Sequence, residues 1–199
     1  MSDIAPDSRY EPPYESPIED AFMWHCHKYL SSDVKVSKQV EVQTQHGQFR
    51  LDFVLYSINE KIAVECDGRD FHDVFRDEFR DAILLGEEHI STIYHFRGCD
   101  LTYHPDDCIW LMSFIDSGFF SKRGHIHLNQ LRNINLNGIS HMVELGNFTS
   151  GGDDDYFFHA FRRTIHDKRG FWRTLYAFAC EHPGFTLDEL LTMYWSKEK

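Results

Sequence analysis

The sequence predicts an α/β (α+β) fold: a four-stranded mixed sheet flanked by helices in αβββαβ order, followed by a C-terminal helical extension. Three observations predict it. Strand-like alternation fills residues 34–44, 49–57 and 61–67. Helical spacing fills residues 16–30 and 71–85. A fourth strand at 91–96 follows the second helix, and that strand–helix–strand connection makes a parallel crossover onto an antiparallel hairpin.

Each element has a local reason. Ser16-Pro17-Ile18-Glu19 combines an N-cap serine, a proline at the first helical position and a glutamate at the third. Ile18, Phe22, Cys26 and Tyr29 then repeat at helical spacing. The first strand carries Val34-Lys35-Val36 and Val40-Glu41-Val42. The next two strands are joined by the turn Ile58-Asn59-Glu60. The second helix is expected to close on Gly86 as a C-cap. Pro105 opens a third helix running to about Ser117, with Ile109, Met112 and Ile115 among its apolar positions. Beyond residue 121 the pattern weakens, and 121–155 is expected as an irregular connection ending in the linker-like TSGGDDD. Helical patterns return at 156–168, 171–181 and 186–195, the last opened by the capping box Thr186-x-x-Glu189. The expected organisation is a flexible arm (1–15), a core (16–120), the connection (121–155) and the helical extension (156–199).

Composition narrows the function classes. A chain of 199 residues suffices for one good core, and 42% hydrophobic residues make it globular rather than disordered. No apolar run approaches the ~20 residues that span a bilayer, so no membrane partner is expected. The N-terminus MSDIAPDSRYEPPYESP lacks the basic and apolar regions of a signal peptide. The five cysteines are scattered without CxxC spacing, which predicts reduced thiols and a cytoplasmic location. A net charge of −12 excludes a surface that is basic everywhere. The chain must concentrate positive charge locally, bind a protein partner with a basic surface, or bind no nucleic acid.

The stretch FRLDFVLYSINEKIAVECDGRDFHD, residues 49–73, carries the chemistry. Alternation puts Leu51, Phe53 and Leu55 on one face of its first strand and Asp52 on the other. In the second strand Ile62, Val64 and Cys66 face the core, while Glu65 and Asp67 share the opposite face about 6–7 Å apart. A hairpin can set Asp52 beside Glu65, gathering up to three carboxylates. Clustered carboxylates repel one another and resist desolvation, so something must compensate them. An oxygen-only set suits a hard cation, Mg²⁺ or Mn²⁺, which can bridge to a substrate phosphate and activate water. His72 lies five residues past Asp67 and could reach the same site, as general acid/base or as a hydrogen-bond donor to a scissile phosphate. The competing structural reading is that such acids are solvated or paired with Arg50, Arg69, Arg76 or Arg80.

These residues carry a resemblance. Arg-x-Asp-Phe, a turn, an apolar strand ending in Glu-x-Asp-Gly, then His, resembles the PD-(D/E)XK nuclease superfamily, and within it the branch around the very-short-patch-repair endonucleases. The segment Asp77-Glu78-Phe79-Arg80-Asp81, then Leu84-Leu85-Gly86 and a strand ending in Arg97, agrees with that branch over residues 16–115. The resemblance implies a four-stranded restriction-endonuclease-like core and metal-dependent cleavage of phosphodiester bonds, with DNA the expected substrate. It implies that Asp52 and Glu65 hold Mg²⁺ or Mn²⁺, with the Cys66 backbone carbonyl as a further ligand. Glu19 would assist from the first helix, although as the third residue of a capping box it also has a complete structural role. Two departures stand out. The superfamily's lysine two residues after the Glu is Asp67 here, and its proline before the metal Asp is Leu51. Related chains often carry Asp at the lysine position with a downstream His, so the resemblance gives Asp67 and His72 the missing role. The alternative is an inactive nuclease-like domain that binds nucleic acid or a protein. DNA repair, restriction and phage defence all fit the active reading.

A phosphate backbone needs cations. If 156–173 is helical, Arg162, His166, Arg169 and Arg173 line one face, with Arg163 alongside, as a nucleic-acid-binding stripe. The competing reading is a solvated helix face. Phe157, Phe171, Trp172 and Tyr176 are expected to fill a helical core rather than to stack on bases. His125 and His127 alternate on what reads as a strand, and with no third ligand no zinc site is expected.

Overall fold

The computed structural model describes residues 9–68, 74–132, 147–151, 157–168 and 170–197. Most of the arm, His72, Arg169 and most of the 133–156 connection fall outside the described residues. The N-terminal half follows the expected αβββαβ order: α1 (Pro17–Cys26), β1 (Lys35–Thr44), β2 (Gly47–Tyr56), β3 (Lys61–Asp67), α2 (Val74–Gly86) and β4 (Thr92–Arg97). There follow α3 (Gly98–Tyr103), α4 (Pro105–Ile115), α5 (Lys122–Leu131), β5 (Asn147–Gly151), β6 (Phe157–Thr164), α6 (Trp172–Cys180) and α7 (Leu187–Lys197). All five cysteines are unpaired. No helix among the described residues is long and apolar enough to cross a membrane.

The protein is α+β, with one mixed sheet flanked by helices. The sheet has six strands rather than the expected four, in the order β1-β2-β3-β4-β6-β5. Neighbours are antiparallel except β3 and β4, the parallel pair that the crossover through α2 predicted. The added strands correct two expectations. Residues 157–164, expected as helix, form a strand that pairs with β4 from Thr92↔Thr164 to Phe96↔Ala160. Residues 147–151, expected as irregular linker, form the edge strand. Phe158, Phe161 and Ile165 match helical spacing, but the open edge of β4 offers a full ladder of hydrogen bonds, and tertiary pairing overrides so short a helical signal. The histidine pair is corrected in the opposite sense, since His125 and His127 belong to helix α5.

The sheet is sandwiched between two helical layers. On one side α1, α4 and α5 bury Phe22, Met23, Trp110 and Leu128 against Phe53, Leu55, Val64, Tyr94 and Phe96. On the other, α2, α6 and α7 bury Phe79, Ile83, Leu175 and Leu190 against Leu51, Val54, Ala63 and Ile93. Each large apolar side chain fully removed from water contributes about 1.5–3 kcal/mol. The N-caps expected at α1 and α7 are present. Ser16 accepts from the Glu19 amide, and Thr186 and Glu189 bond reciprocally.

One irregularity sets up everything near the carboxylates. A regular β2 would send Leu51, Phe53 and Leu55 to one face, as the alternation predicted. Instead Phe49 and Leu51 pack in the α2 layer, while Phe53 and Leu55 pack in the α1 layer. β1 makes the same switch, with Val36 against the α1 layer and Val40 and Val42 against the α2 layer. Both strands change face where the pairing passes from Lys38↔Phe53 to Val40↔Leu51 and leaves out Gln39 and Asp52. Gln39 sits at φ 49°, the left-handed region that non-glycine residues enter at some cost. The hairpin therefore twists through the sheet plane at the residue pair that includes the first candidate ligand.

Gly86 closes α2, as expected, but without the positive φ of a left-handed cap. It lies inside the last turn of α2, where a Cβ would overlap the ring of Tyr176 on α6. Gly86→Ala is therefore expected to separate α2 from α6 and to lower stability by about 1–3 kcal/mol. Urea unfolding at neutral pH measures the difference.

Candidate functional site

The switch at Gln39 and Asp52 delivers a cluster of carboxylates to the C-terminal end of β3. Asp52 is half-buried, and its Oδ2 accepts the backbone N–H of Cys66 at 2.9 Å. Burial pushes its pKa up, opposed by that hydrogen bond, and the charges of Glu19 and Asp67 push it further. Glu65 is 7% exposed. Burial raises its pKa to about 7, and Arg80 opposes the shift while Asp52 adds to it. The structure thus gathers Asp52, Glu65 and Asp67 closely enough to disturb one another, as the strand pattern predicted, and Glu19 from α1 adds its charge to Asp52. Cys66 lends its N–H to Asp52 while its side chain lies in the α1-side core.

Glu19 sits against the N-cap of α1 and also faces Gln39. Its Oε1 accepts from the Ser16 hydroxyl at 2.7 Å at the N-cap, and its Oε2 accepts from Gln39 Nε2 at 3.0 Å. The Gln39 amide also lies near Asp52 and lowers the pKa of that carboxyl against burial. One neutral amide therefore bonds the helix carboxylate and faces the strand carboxylate. Sequence reading missed Gln39, and its only signal was a polar residue inside an alternating strand.

Asp67, which stands at the superfamily's lysine position, is held by His95, a cation that sequence reading also missed. His95 on β4 lies beside Glu65 in the parallel ladder. Its Nδ1 lies 3.2 Å from Asp67 Oδ2 and its Nε2 lies 3.0 Å from Asp81 Oδ2. Both ring nitrogens face carboxylates, so both carry protons, and the ring is an imidazolium. Burial pushes its pKa down, but Asp81 and Asp67 outweigh burial and raise it to about 10. Asp81 is wholly buried, yet His95, Arg163 and Arg80 hold its carboxyl below the usual range. Arg163 bonds Asp81, and it reaches Glu78 at 3.2 Å. The sequence signal was present: a histidine in an otherwise apolar strand, and Asp77, Arg80 and Asp81 at helical spacing. Arg97, which ends β4, pairs with Asp100 instead.

The expected phosphate-binding stripe is not assembled. Residues 157–164 are a strand, so Arg162 and Arg163 point to opposite layers. Arg162 bonds Asp116 at 2.9 Å and the Tyr94 hydroxyl at 3.1 Å, while Arg163 joins the Asp81 network. Both arginines are buried. Arg173 donates to the Ile165 and Asp167 carbonyls, and His166 is exposed beside Glu60. Arg169 and His72 lie outside the described residues.

Among the described residues no three His, Cys, Asp or Glu side chains form a ready-made metal cage. The donor set nevertheless fits a hard cation that takes one or two carboxylates and keeps its waters. Glu65 Oε1 is buried with no hydrogen-bond partner, as are Gln39 Oε1 and Arg80 Nε. The nearest Arg80 nitrogen stands 3.7 Å from Glu65 Oε2, beyond a hydrogen bond. A buried carboxylate oxygen without a partner is unfavourable unless something else meets it. No protein-family model matches the chain, and neither a curated protein nor a solved structure matches it.

The titrations give stability a defined pH dependence. Glu65 holds an extra proton in the folded state between 4.5 and about 7, so stability falls as pH rises through that window. The His95 contribution is full below 6.5 and is lost as pH rises towards about 10. The Asp81 contribution acts at the acid end, where it is lost as pH falls below the ordinary carboxylate range. His95→Gln is expected to cost about 3–5 kcal/mol near pH 6, because it removes the imidazolium that Asp81 and Asp67 share and leaves Asp81 to Arg163 and Arg80 alone. The same substitution should abolish the loss between pH 6.5 and 10 while retaining the Glu65 slope. Denaturant unfolding across pH measures both.

Proposed function

We propose that the chain is a metal-dependent nuclease that hydrolyses phosphodiester bonds in nucleic acid, with DNA as its substrate, and that it is related to the PD-(D/E)XK superfamily. The observation that carries this reading is the buried, unpartnered Glu65 Oε1 within a cluster that includes Asp52, at the end of a parallel strand pair. The αβββαβ order and the placement of Asp52 at the strand switch support it.

Asp52 and Glu65 would hold Mg²⁺ or Mn²⁺, with the Cys66 carbonyl as a further ligand. Bound there, the cation would supply Lewis-acid stabilisation of a scissile phosphate and a more acidic water. Cys66 N–H orients Asp52, fixing which of its oxygens is free. Glu19 reaches the cluster through Gln39. Asp67, steadied by imidazolium His95, would orient the attacking water, and His72 would act as general acid/base or donate to the phosphate. With Arg162 and Arg163 paired internally, contacts to the nucleic-acid backbone fall to other residues or to a basic protein partner.

A second reading is favoured by one specific observation. The lysine position holds Asp67, and its carboxylate engages His95. That arrangement also suits a catalytically inactive domain that binds nucleic acid or protein.

The test is cleavage of supercoiled plasmid, single-stranded DNA and RNA with Mg²⁺ or Mn²⁺. Activity is expected to vanish with EDTA and to fall to background in Asp52→Ala and Glu65→Gln, both with intact circular dichroism. Cutting that survives EDTA and Asp52→Ala contradicts the proposal, and absence of cutting on all three substrates favours the binding module. Glu65 must ionise to accept a cation, so Mn²⁺ affinity measured by calorimetry should rise with pH up to about 7 and then level off.

A further inference from the structure

Gln39 combines three features that no structural role of the β1–β2 hairpin requires. Its backbone occupies the left-handed region at φ 49° in the middle of a ladder that is regular on both sides. Its Nε2 donates to Glu19 Oε2 at 3.0 Å, and its amide lies near enough to Asp52 to lower that carboxyl's pKa. Its Oε1 is buried and has no partner. The two carboxylate neighbours fix the amide orientation, because a carboxylate accepts and only the NH₂ group can donate. Turning the amide over would set oxygen against oxygen. The free acceptor is therefore a consequence of the two clamps.

A cation site explains all three features. The left-handed backbone brings the side chain between α1 and β2, and such strain persists where surrounding interactions over-determine it. The neutral NH₂ group holds two like charges near one point without neutralising either. The remaining Oε1 is an acceptor, and a water bound to a cation is a strong donor. Glu65 Oε1, on a side chain more than nine-tenths buried, is left without a partner at the same cluster.

We infer that Gln39 is a positioning residue of the cation site, holding Glu19 and Asp52 through Nε2 and accepting at Oε1 from a water of the cation's shell. The inference rests on the cation-binding part of the proposed function. Residues that orient ligands from behind change metal affinity about 10–100-fold when removed.

Two substitutions separate this role from a structural one. Gln39→Gly removes the amide and relieves the backbone, since glycine enters the left-handed region freely. Gln39→Met keeps the length and the backbone cost but has no amide. Mn²⁺ binding is read by electron paramagnetic resonance and folding by thermal melting, beside wild type and Asp52→Asn. Both Gln39 variants are expected to bind Mn²⁺ about 10–100-fold more weakly, with Gln39→Gly melting no lower than wild type. Wild-type Mn²⁺ affinity in either folded variant overturns the inference, and if Asp52→Asn abolishes binding in the same series the cation site itself stands. A wild-type protein that binds no Mn²⁺ overturns both. A wild-type protein that binds Mn²⁺ through Gln39 but cuts no substrate leaves the inference standing and removes the nuclease activity.

Discussion

Buried charge must be matched in place, and the imidazolium of His95 is where this protein matches it. The C-terminal ends of β3 and β4 bring Glu65, Asp67 and His95 side by side, and α2 lays Glu78, Arg80 and Asp81 across them. Arg163 from β6 closes the set. Removing these charges from water is costly for each ion, and only close pairing of opposite charges offsets it. The pairing also sets the topology. β6 can add to the sheet because Arg163 meets Asp81 and Glu78 on one side, while Arg162 meets Asp116 and Tyr94 on the other. The extension is thus riveted to both helical layers by consecutive residues of one strand.

Against that background the remaining imbalance is informative. Asp81 and Asp67 are satisfied. Glu65 is the acid whose pKa burial carries to about 7, and one of its oxygens meets nothing. Asp52 is raised by burial as well, and the two raised carboxylates lie together at the strand switch, which is the arrangement the proposed cation site uses. Perturbed carboxylates of that kind concentrate at functional sites. The hairpin switch at Gln39 and Asp52 is the backbone side of the same arrangement, where the ladder leaves out one residue on each strand.

Much of this was legible in the sequence, for physical reasons. The N-terminal αβββαβ order could be read because α1 has its own cap, β2 and β3 alternate, and α2 is amphipathic, all of which are local signals. Asp52, Glu65 and Asp67 could be read because acids in apolar strands stand out. The rest depends on long-range pairing. Nothing local distinguishes Phe157–Thr164 as a strand, since its apolar residues fit a helix equally well and only the edge of β4 decides. The same misreading turned two buried ion-pairing arginines into an apparent phosphate stripe. The face switch at Gln39 was invisible because alternation assumes a regular strand. His95 carried a signal, a lone histidine among apolar neighbours, whose meaning became clear only when Asp67 and Asp81 were brought to its two nitrogens.

The most direct test of the account is to locate the cation. Crystals of the wild-type protein grown near pH 8 and soaked in Mn²⁺ would be measured at a wavelength where manganese scatters anomalously. The account predicts one dominant anomalous peak within bonding distance of both Asp52 and Glu65, with Gln39 Oε1 hydrogen-bonded to a water on the metal. A map with no peak there, or with manganese bound only at surface carboxylates elsewhere, would contradict it.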